Sequence, residues 1–181
     1  MIRRNAVARL LLTFPLIACS VGGCNYEIFF PNLPTVGNVE VSRYLGLWYE
    51  IAKYPVSFEE GCVGVTAAYT LNTDGSIKVV NTCYPGTLDA EPTTIEGVAQ
   101  IADPATNAKL NVAFFGPFGA PYWIIDLDPD YQWAVIGEPS RTFLWILSRT
   151  PTLDDAVYQD ILSRLPAKGY DVSRLELTPQ N

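Results

Sequence analysis

The sequence predicts an all-β domain of eight short strands followed by one helix, and three observations carry that prediction. Runs of β-like composition recur at 47–54, 63–71, 76–83, 93–102, 108–115, 121–127, 131–137 and 142–149. The segments between them are rich in Gly, Pro and Asx residues, which favour turns. One stretch after the eighth run carries a helical period instead. Strands at this spacing, joined by short connections, suggest an up-and-down antiparallel barrel. A sandwich with Greek-key crossings has the same strand list, so order alone does not separate the two.

The elements follow in order. Residues 1–24 read as a lipoprotein leader: Met1-Ile2-Arg3-Arg4-Asn5 is basic, and Leu10 to Ala18 is apolar but too short to span a bilayer. Two tetrads then place small residues before a cysteine, Leu16-Ile17-Ala18-Cys19 and Val21-Gly22-Gly23-Cys24. A lipoprotein signal peptidase needs small residues there, in its narrow cleft, to cut at an acylated thiol. Cys19 has the better leucine at the third preceding position, whereas cutting at Cys24 leaves an even number of downstream cysteines. Either one, carrying diacylglyceryl and palmitate-type chains, anchors the chain, because each buried methylene contributes about 0.8 kcal/mol. Residues 25–41 hold two prolines and no helical period, so they read as a tether and extended lead-in, with the folded domain at 42–181.

Within that domain, Asn72-Thr73-Asp74-Gly75 is a hairpin signal. Asp103-Pro104-Ala105-Thr106-Asn107 and Asp128-Pro129-Asp130 are further turns, the second built on Asx capping rather than on a catalytic acid pair. Thr152 is the expected N-cap of the helix, with Asp155 at its third position. Leu153, Val157, Ile161, Leu162 and Leu165 then share one face, and Lys168-Gly169 supplies the stop. Residues 172–178 add a short extended segment beside the helix.

Composition narrows the chemistry. The chain has 181 residues, 49% hydrophobic and 17% charged, enough for one well-cored domain and too apolar for disorder. Its net charge is −7, and losing Arg3, Arg4 and Arg9 with a leader leaves nine basic residues against 19 acidic ones. Nucleic acid is therefore a poor partner. There is no histidine, and Met1 is the single methionine, so metal and haem sites lack ligands and no cofactor is implied. No phosphate loop, nucleophile elbow or Ser/His/Asp set is present. Past an export signal, Cys62 and Cys83 are expected to form a disulfide. A simple register about the Asp74-Gly75 turn sets Cys62 opposite a residue beyond Cys83, so a bulge is needed.

Three separated segments share a further pattern. Gly46-Leu47-Trp48-Tyr49-Glu50-Ile51-Ala52 comes first, Asp128-Pro129-Asp130-Tyr131 second, and Leu144-Trp145-Ile146-Leu147-Ser148-Arg149-Thr150-Pro151 third. Together they resemble the lipocalin family, specifically the bacterial outer-membrane lipocalins akin to apolipoprotein D, over residues 40–178. The resemblance implies a barrel closed at one end. Gly46, Trp48, Asp130, Tyr131 and Arg149 then have structural roles, with Arg149 stacked over Trp48 at the base. It also implies a carrier on the periplasmic side of the outer membrane, monomer or weak dimer, with fatty acids or lysophospholipids as ligands.

Alternate residues of each strand in a small barrel point inward. With Trp48 inward, Glu50 and Ala52 share its face. Alternation adds Val65, Ala67 and Tyr69, then Val79 and Asn81, then Val112 and Phe114. Tyr122, Ile124, Ile136, Phe143 and Trp145 complete the candidate lining, with Glu50, Asn81 and Tyr122 as groups to hold a polar head. The residues alone allow a filled core as readily as a cavity; the resemblance implies the cavity. Phe114-Phe115-Gly116-Pro117-Phe118-Gly119 reads either as an apolar rim touching membrane or as a loop collapsed onto its own core, the second being favoured. Two other function classes stay open: a lipid-modifying enzyme using a free Cys62 or Cys83 thiol or a perturbed Glu50, and a solid-cored structural lipoprotein.

Overall fold

The computed structural model of the protein describes Phe30 and residues 32–180. The leader and both candidate acylation cysteines, Cys19 and Cys24, lie outside the described residues. Eight antiparallel strands form the wall: β1 (Gly46–Lys53), β2 (Cys62–Leu71), β3 (Ile77–Pro85), β4 (Thr93–Ile101), β5 (Lys109–Ala113), β6 (Ala120–Leu127), β7 (Trp133–Gly137) and β8 (Leu144–Ser148). Each pairs with the next, and β1 pairs with both β8 and β2, so the sheet closes into a barrel without Greek-key crossings. The ends of each predicted run are within about two residues of the strand observed, because turn chemistry marks the boundaries.

Closure has an unexpected part. β1 pairs with β2 only from Gly46 to Tyr49. Above that, a short C-terminal strand β9 (Glu176–Leu177) takes the place of β2 beside Ala52 and Lys53. The segment after it ties both sides of the split. Thr178 N donates to Ile51 O at 3.0 Å, Gly64 N to Pro179 O at 2.7 Å, and Gln180 Nε2 to the carbonyls of Glu50 and Val65. The expected segment at 172–178 is thus split: Val172 and Leu175, around a 3-10 turn at Val172–Arg174, pack on the same outer cluster as the helix, while the chain from Glu176 lies in the barrel seam, where backbone groups of β1 need partners.

Bulges decide which side chains face inward. The β1–β8 register shifts between Glu50 and Ala52, which turns Ala52 to the outer wall and sets Lys53 opposite Trp145. The expectation that Ala52 faces inward is therefore corrected: one inserted residue inverts the alternation beyond it. A second shift lies between Val63 and Thr66, at Gly64 with φ +59°. It meets the requirement for the disulfide: Cys62 pairs in register with Pro85, yet its Cα lies 5.3 Å from that of Cys83 and the two sulfurs are bonded.

The helix α2 (Asp155–Arg164) packs on the outer wall. Its N-cap is Asp154, whose carboxylate accepts from Ala156 N and Val157 N, and not Thr152 as the sequence suggested. The Thr152 carbonyl is instead engaged by the Thr150 hydroxyl. The α-helix also stops earlier than Lys168. Pro166 opens a 3-10 turn, Pro166–Lys168, and Gly169 ends it at φ +86°. Ile161 and Leu165 are fully buried against Ile125, Val135, Leu144 and Ile146. Tyr170 reaches the wall at Gly137, where any Cβ would meet its hydroxyl oxygen at 2.2 Å. The four-residue helix α1 (Val41–Tyr44) leads into β1 at the closed end, in a stretch for which the sequence predicts no element.

Candidate functional site

The barrel interior divides into a sealed base and a mouth. At the base, Trp48 is fully buried and its indole N–H donates to Tyr44 O at 2.8 Å. The Arg149 guanidinium stacks over the Trp48 ring, 3.8 Å from its centroid. The same fork donates to the carbonyls of Leu47 at 2.8 Å, Arg43 at 2.6 Å, Tyr44 at 3.2 Å and Tyr131 at 3.3 Å. Only a planar, five-donor group satisfies so many acceptors while lying flat on a ring. Gly46, at φ +96°, lets the chain pass close to this fork.

The turn carrying Asp128, Asp130 and Tyr131 adjoins this fork, with Arg149 N donating to Gln132 O at 2.8 Å. Asp128 Oδ2 accepts from Asp130 N and Gln132 N, so Asp128 caps the turn, while Asp130 itself stays exposed. The Tyr131 hydroxyl accepts from Glu40 N at 2.8 Å, and Arg43 lies over its ring. This is turn chemistry, as the sequence indicated.

Above the plug, three tyrosines join by their hydroxyls. Tyr122 hydrogen-bonds to Tyr44 at 2.8 Å and to Tyr69 at 2.9 Å. Burial pushes Tyr44 and Tyr122 well above the usual phenol range and Tyr69 up to about 12, so all three are neutral donors and acceptors. Around them the inner wall is apolar: Val79, Leu110, Val112, Ile124, Ala134 and Ile136 are buried, and Ala67, Phe114 and Trp145 pack against them. Val65 is buried beyond Ala67 on β2, and Asn81 follows Val79 on β3 with its Oδ1 buried and unpartnered.

The mouth carries charge. Glu50 is 3% exposed, and the Thr178 hydroxyl donates to its Oε1. Burial first, then the nearby Glu59 charge, pushes its pKa up to about 8, so near pH 7 its carboxyl is protonated. Burial also raises Glu59, while Trp145 and Lys53 oppose that rise. Glu59 Oε2 is buried without a hydrogen-bond partner. Phe143 stacks on Trp145 at 5.7 Å between centroids and meets Phe58 at 6.3 Å. Beside this cluster a cleft of ≈490 Å³ is lined by Lys53, Val56, Glu59, Cys62, Glu176 and Thr178.

A family model described as a lipocalin-like domain matches residues 39–180. The chain belongs to the lipocalin family. Temperature-induced lipocalin-1 of Arabidopsis thaliana is 42% identical over 159 residues, covering 83% of this lipocalin and 84% of the plant protein. Outer membrane lipoprotein Blc of Escherichia coli K12 is 40% identical over 172 residues, 93% and 92% of the two chains. Apolipoprotein D of Bos taurus is 33% identical over 181 residues, 94% of each. In fold, the chain is similar to insecticyanin from Manduca sexta, with a TM-score of 0.65 at 20% identity over 83% and 85% of the chains.

The lipocalin barrel brings Glu50, Tyr69, Val79, Asn81, Val112, Tyr122, Ile124, Ile136, Phe143 and Trp145 around one interior, with Val65, Ala67 and Phe114 completing it. Sequence reasoning missed four of its polar members. Tyr44 lies in a one-turn helix with no periodic signature. Lys53 faces inward only because of the β1 bulge. Glu59 sits in Phe58-Glu59-Glu60-Gly61, which reads as a solvated loop, and Thr178 arrives from the C terminus.

Proposed function

We propose that this lipocalin is an outer-membrane lipoprotein of the bacterial envelope, held on the periplasmic side by acylated Cys19 or Cys24. In this reading its barrel holds fatty acids, lysophospholipids or similar amphiphiles for storage, transport or membrane maintenance. The observation that carries the reading is the distribution of polarity inside. An apolar wall lies between a neutral tyrosine cluster and a charged mouth, the profile of an acyl chain and its head. The names of the Escherichia coli relative, an outer membrane lipoprotein, and of apolipoprotein D support the same assignment. An acyl chain is sufficient ligand: about 0.8 kcal/mol per methylene over roughly a dozen methylenes exceeds the association cost by several kcal/mol.

The mouth also orders the ligands. A fatty acid sets its carboxylate beside Glu59, which costs free energy, whereas a lysophospholipid brings an ammonium or hydroxyl donor to the unpartnered Glu59 Oε2. Titration followed by Trp145 fluorescence tests this. Lysophospholipids are expected to bind more tightly than fatty acids of equal chain length near pH 7, with the gap narrowing as pH falls. Absence of binding by either class, in protein shown to be lipid-free, would remove the carrier reading.

A second reading has one observation in its favour. Glu50 is a buried acid with a raised pKa, as a lipid-modifying enzyme would need. The disulfide consumes the two thiols that would serve such an enzyme. Turnover of a lysophospholipid ester that Glu50→Gln abolishes would establish catalysis; unchanged lipid after prolonged incubation would dismiss it.

A further inference from the structure

The open end of the barrel carries an apolar crown. Phe58 in the β1–β2 loop is 66% exposed, and Phe115 and Phe118 in the β5–β6 loop are 80% and 88% exposed. Leu88 of the β3–β4 loop adds a fourth large apolar side chain. In an up-and-down barrel these three loops sit at the same end, opposite the Trp48–Arg149 plug. The favoured expectation of a collapsed phenylalanine loop is thus corrected. Phe114 alone packs inward, against Gly97, while Gly116 at φ +66° and Pro117 turn the chain so that Phe115 and Phe118 stand in solvent. Exposed aromatics clustered at one end signal a surface they are meant to enter.

The chain itself says which surface. Arg141, in the β7–β8 loop of the same end, donates to Asn32 O at 3.1 Å. From there the segment runs to the base, where Val39 N donates to Thr106 O at 2.7 Å. The tether therefore leaves the barrel beside the crown. Asn32 is eight positions after Cys24, a reach of at most about 29 Å at ~3.6 Å per residue. An eight-residue strand such as β6 already spans about 26 Å. An anchor at Cys24 thus favours the mouth beside the membrane, whereas one at Cys19, with a reach of about 47 Å, leaves the crown itself to set the orientation.

We infer that the mouth docks face-down on the membrane, with Phe58, Leu88, Phe115 and Phe118 inserted among the headgroups of a zwitterionic lipid bilayer. The three crown loops carry Glu59, Glu60, Asp89 and Glu91 and no lysine or arginine, so an anionic surface repels them. The ligand then exchanges between bilayer and barrel without crossing water. This orientation rests on the envelope-anchor reading above; the crown itself does not.

The test uses the full chain, purified from the envelope and reconstituted with phosphatidylcholine–phosphatidylethanolamine vesicles. An environment-sensitive dye is attached in Phe118→Cys, at the crown, or in Leu71→Cys, a 51% exposed site at the closed end. Cys62 and Cys83 are locked in their disulfide, and any label on a leader cysteine is common to both variants. The dye at 118 is expected to shift to the blue and to resist aqueous iodide about fivefold better than at 71, with less protection once phosphatidylglycerol is added. Equal accessibility at the two sites overturns the proposal. Protection at 118 that persists without vesicles, with a dimer mass, assigns the crown to a second copy and also overturns it. A lipid-free barrel with protection at 118 leaves docking intact while the carrier reading falls; a lipid-filled barrel with 118 in water does the reverse.

Discussion

The two ends of the barrel solve the same problem, how to finish a closed sheet, in opposite ways. At the base the polar groups of the plug are paired: one guanidinium serves four carbonyls, the Trp48 indole N–H has its own, and Asp128 caps the adjoining turn. At the mouth, two carboxyls sit together in low dielectric, Glu59 Oε2 has no partner, and phenylalanines stand in solvent. The base is built as a stop. The mouth retains unmet polar and apolar demand, the signature of a surface that acts on something else.

The largest effect that would blur this contrast is loss of the plug. Trp48→Ala removes a fully buried indole and leaves Arg149 without its ring. Urea unfolding is expected to show a loss of about 3–5 kcal/mol. The mouth has no plug and is fastened covalently, so Cys62→Ala with Cys83→Ala tests its own support. With the two positions 21 apart in sequence, chain entropy predicts a loss of about 3 kcal/mol. If that pair of changes costs less than about 1 kcal/mol, the mouth is held by other contacts.

The pH dependence sharpens the comparison next. Glu50 has a folded pKa of about 8, above the unfolded value of about 4.3, so the unfolded chain gives up this proton first. Its contribution to stability is complete below the unfolded pKa, declines as pH rises, and is gone above the folded pKa. Glu59, shifted the same way, adds to the slope. Glu50→Gln removes the decline and is expected to stabilise by about 1–3 kcal/mol near pH 9 while changing little near pH 4. A slope identical to that of the parent would place the titration elsewhere. The smallest effect belongs to Arg149→Lys, which keeps the charge but loses the fork, and should cost about 1–2 kcal/mol by thermal unfolding.

The strands were legible because their turns have local signatures, and the plug because its segments resemble those of a known family. Asp74-Gly75 and Asp128-Pro129-Asp130 mark turns by backbone chemistry, and Gly46, Trp48 and Arg149 stand at fixed places around them. The bulge at Ile51 was not legible, since Ile51 and Ala52 are both apolar and satisfy either alternation. Lys53 was hidden with it, and a lysine facing a barrel interior contradicts simple patterning. Thr178 and Gln180 reach the seam through contacts more than a hundred residues long in sequence, which no local pattern encodes. The crown was visible as composition, but its exposure depends on the turn at Gly116-Pro117.

The central claim, that the sealed base and open mouth enclose a lipid site, is tested most directly by extracting lipid from the purified protein and weighing it by mass spectrometry against a filled variant. Ala67→Trp places an indole on the inner face between Trp48 and Asn81, its partners across β1 and β3. The account predicts close to one acyl lipid per parent chain and almost none in the folded variant. A parent that carries no lipid and takes up none, or a variant that carries as much as the parent, would contradict it.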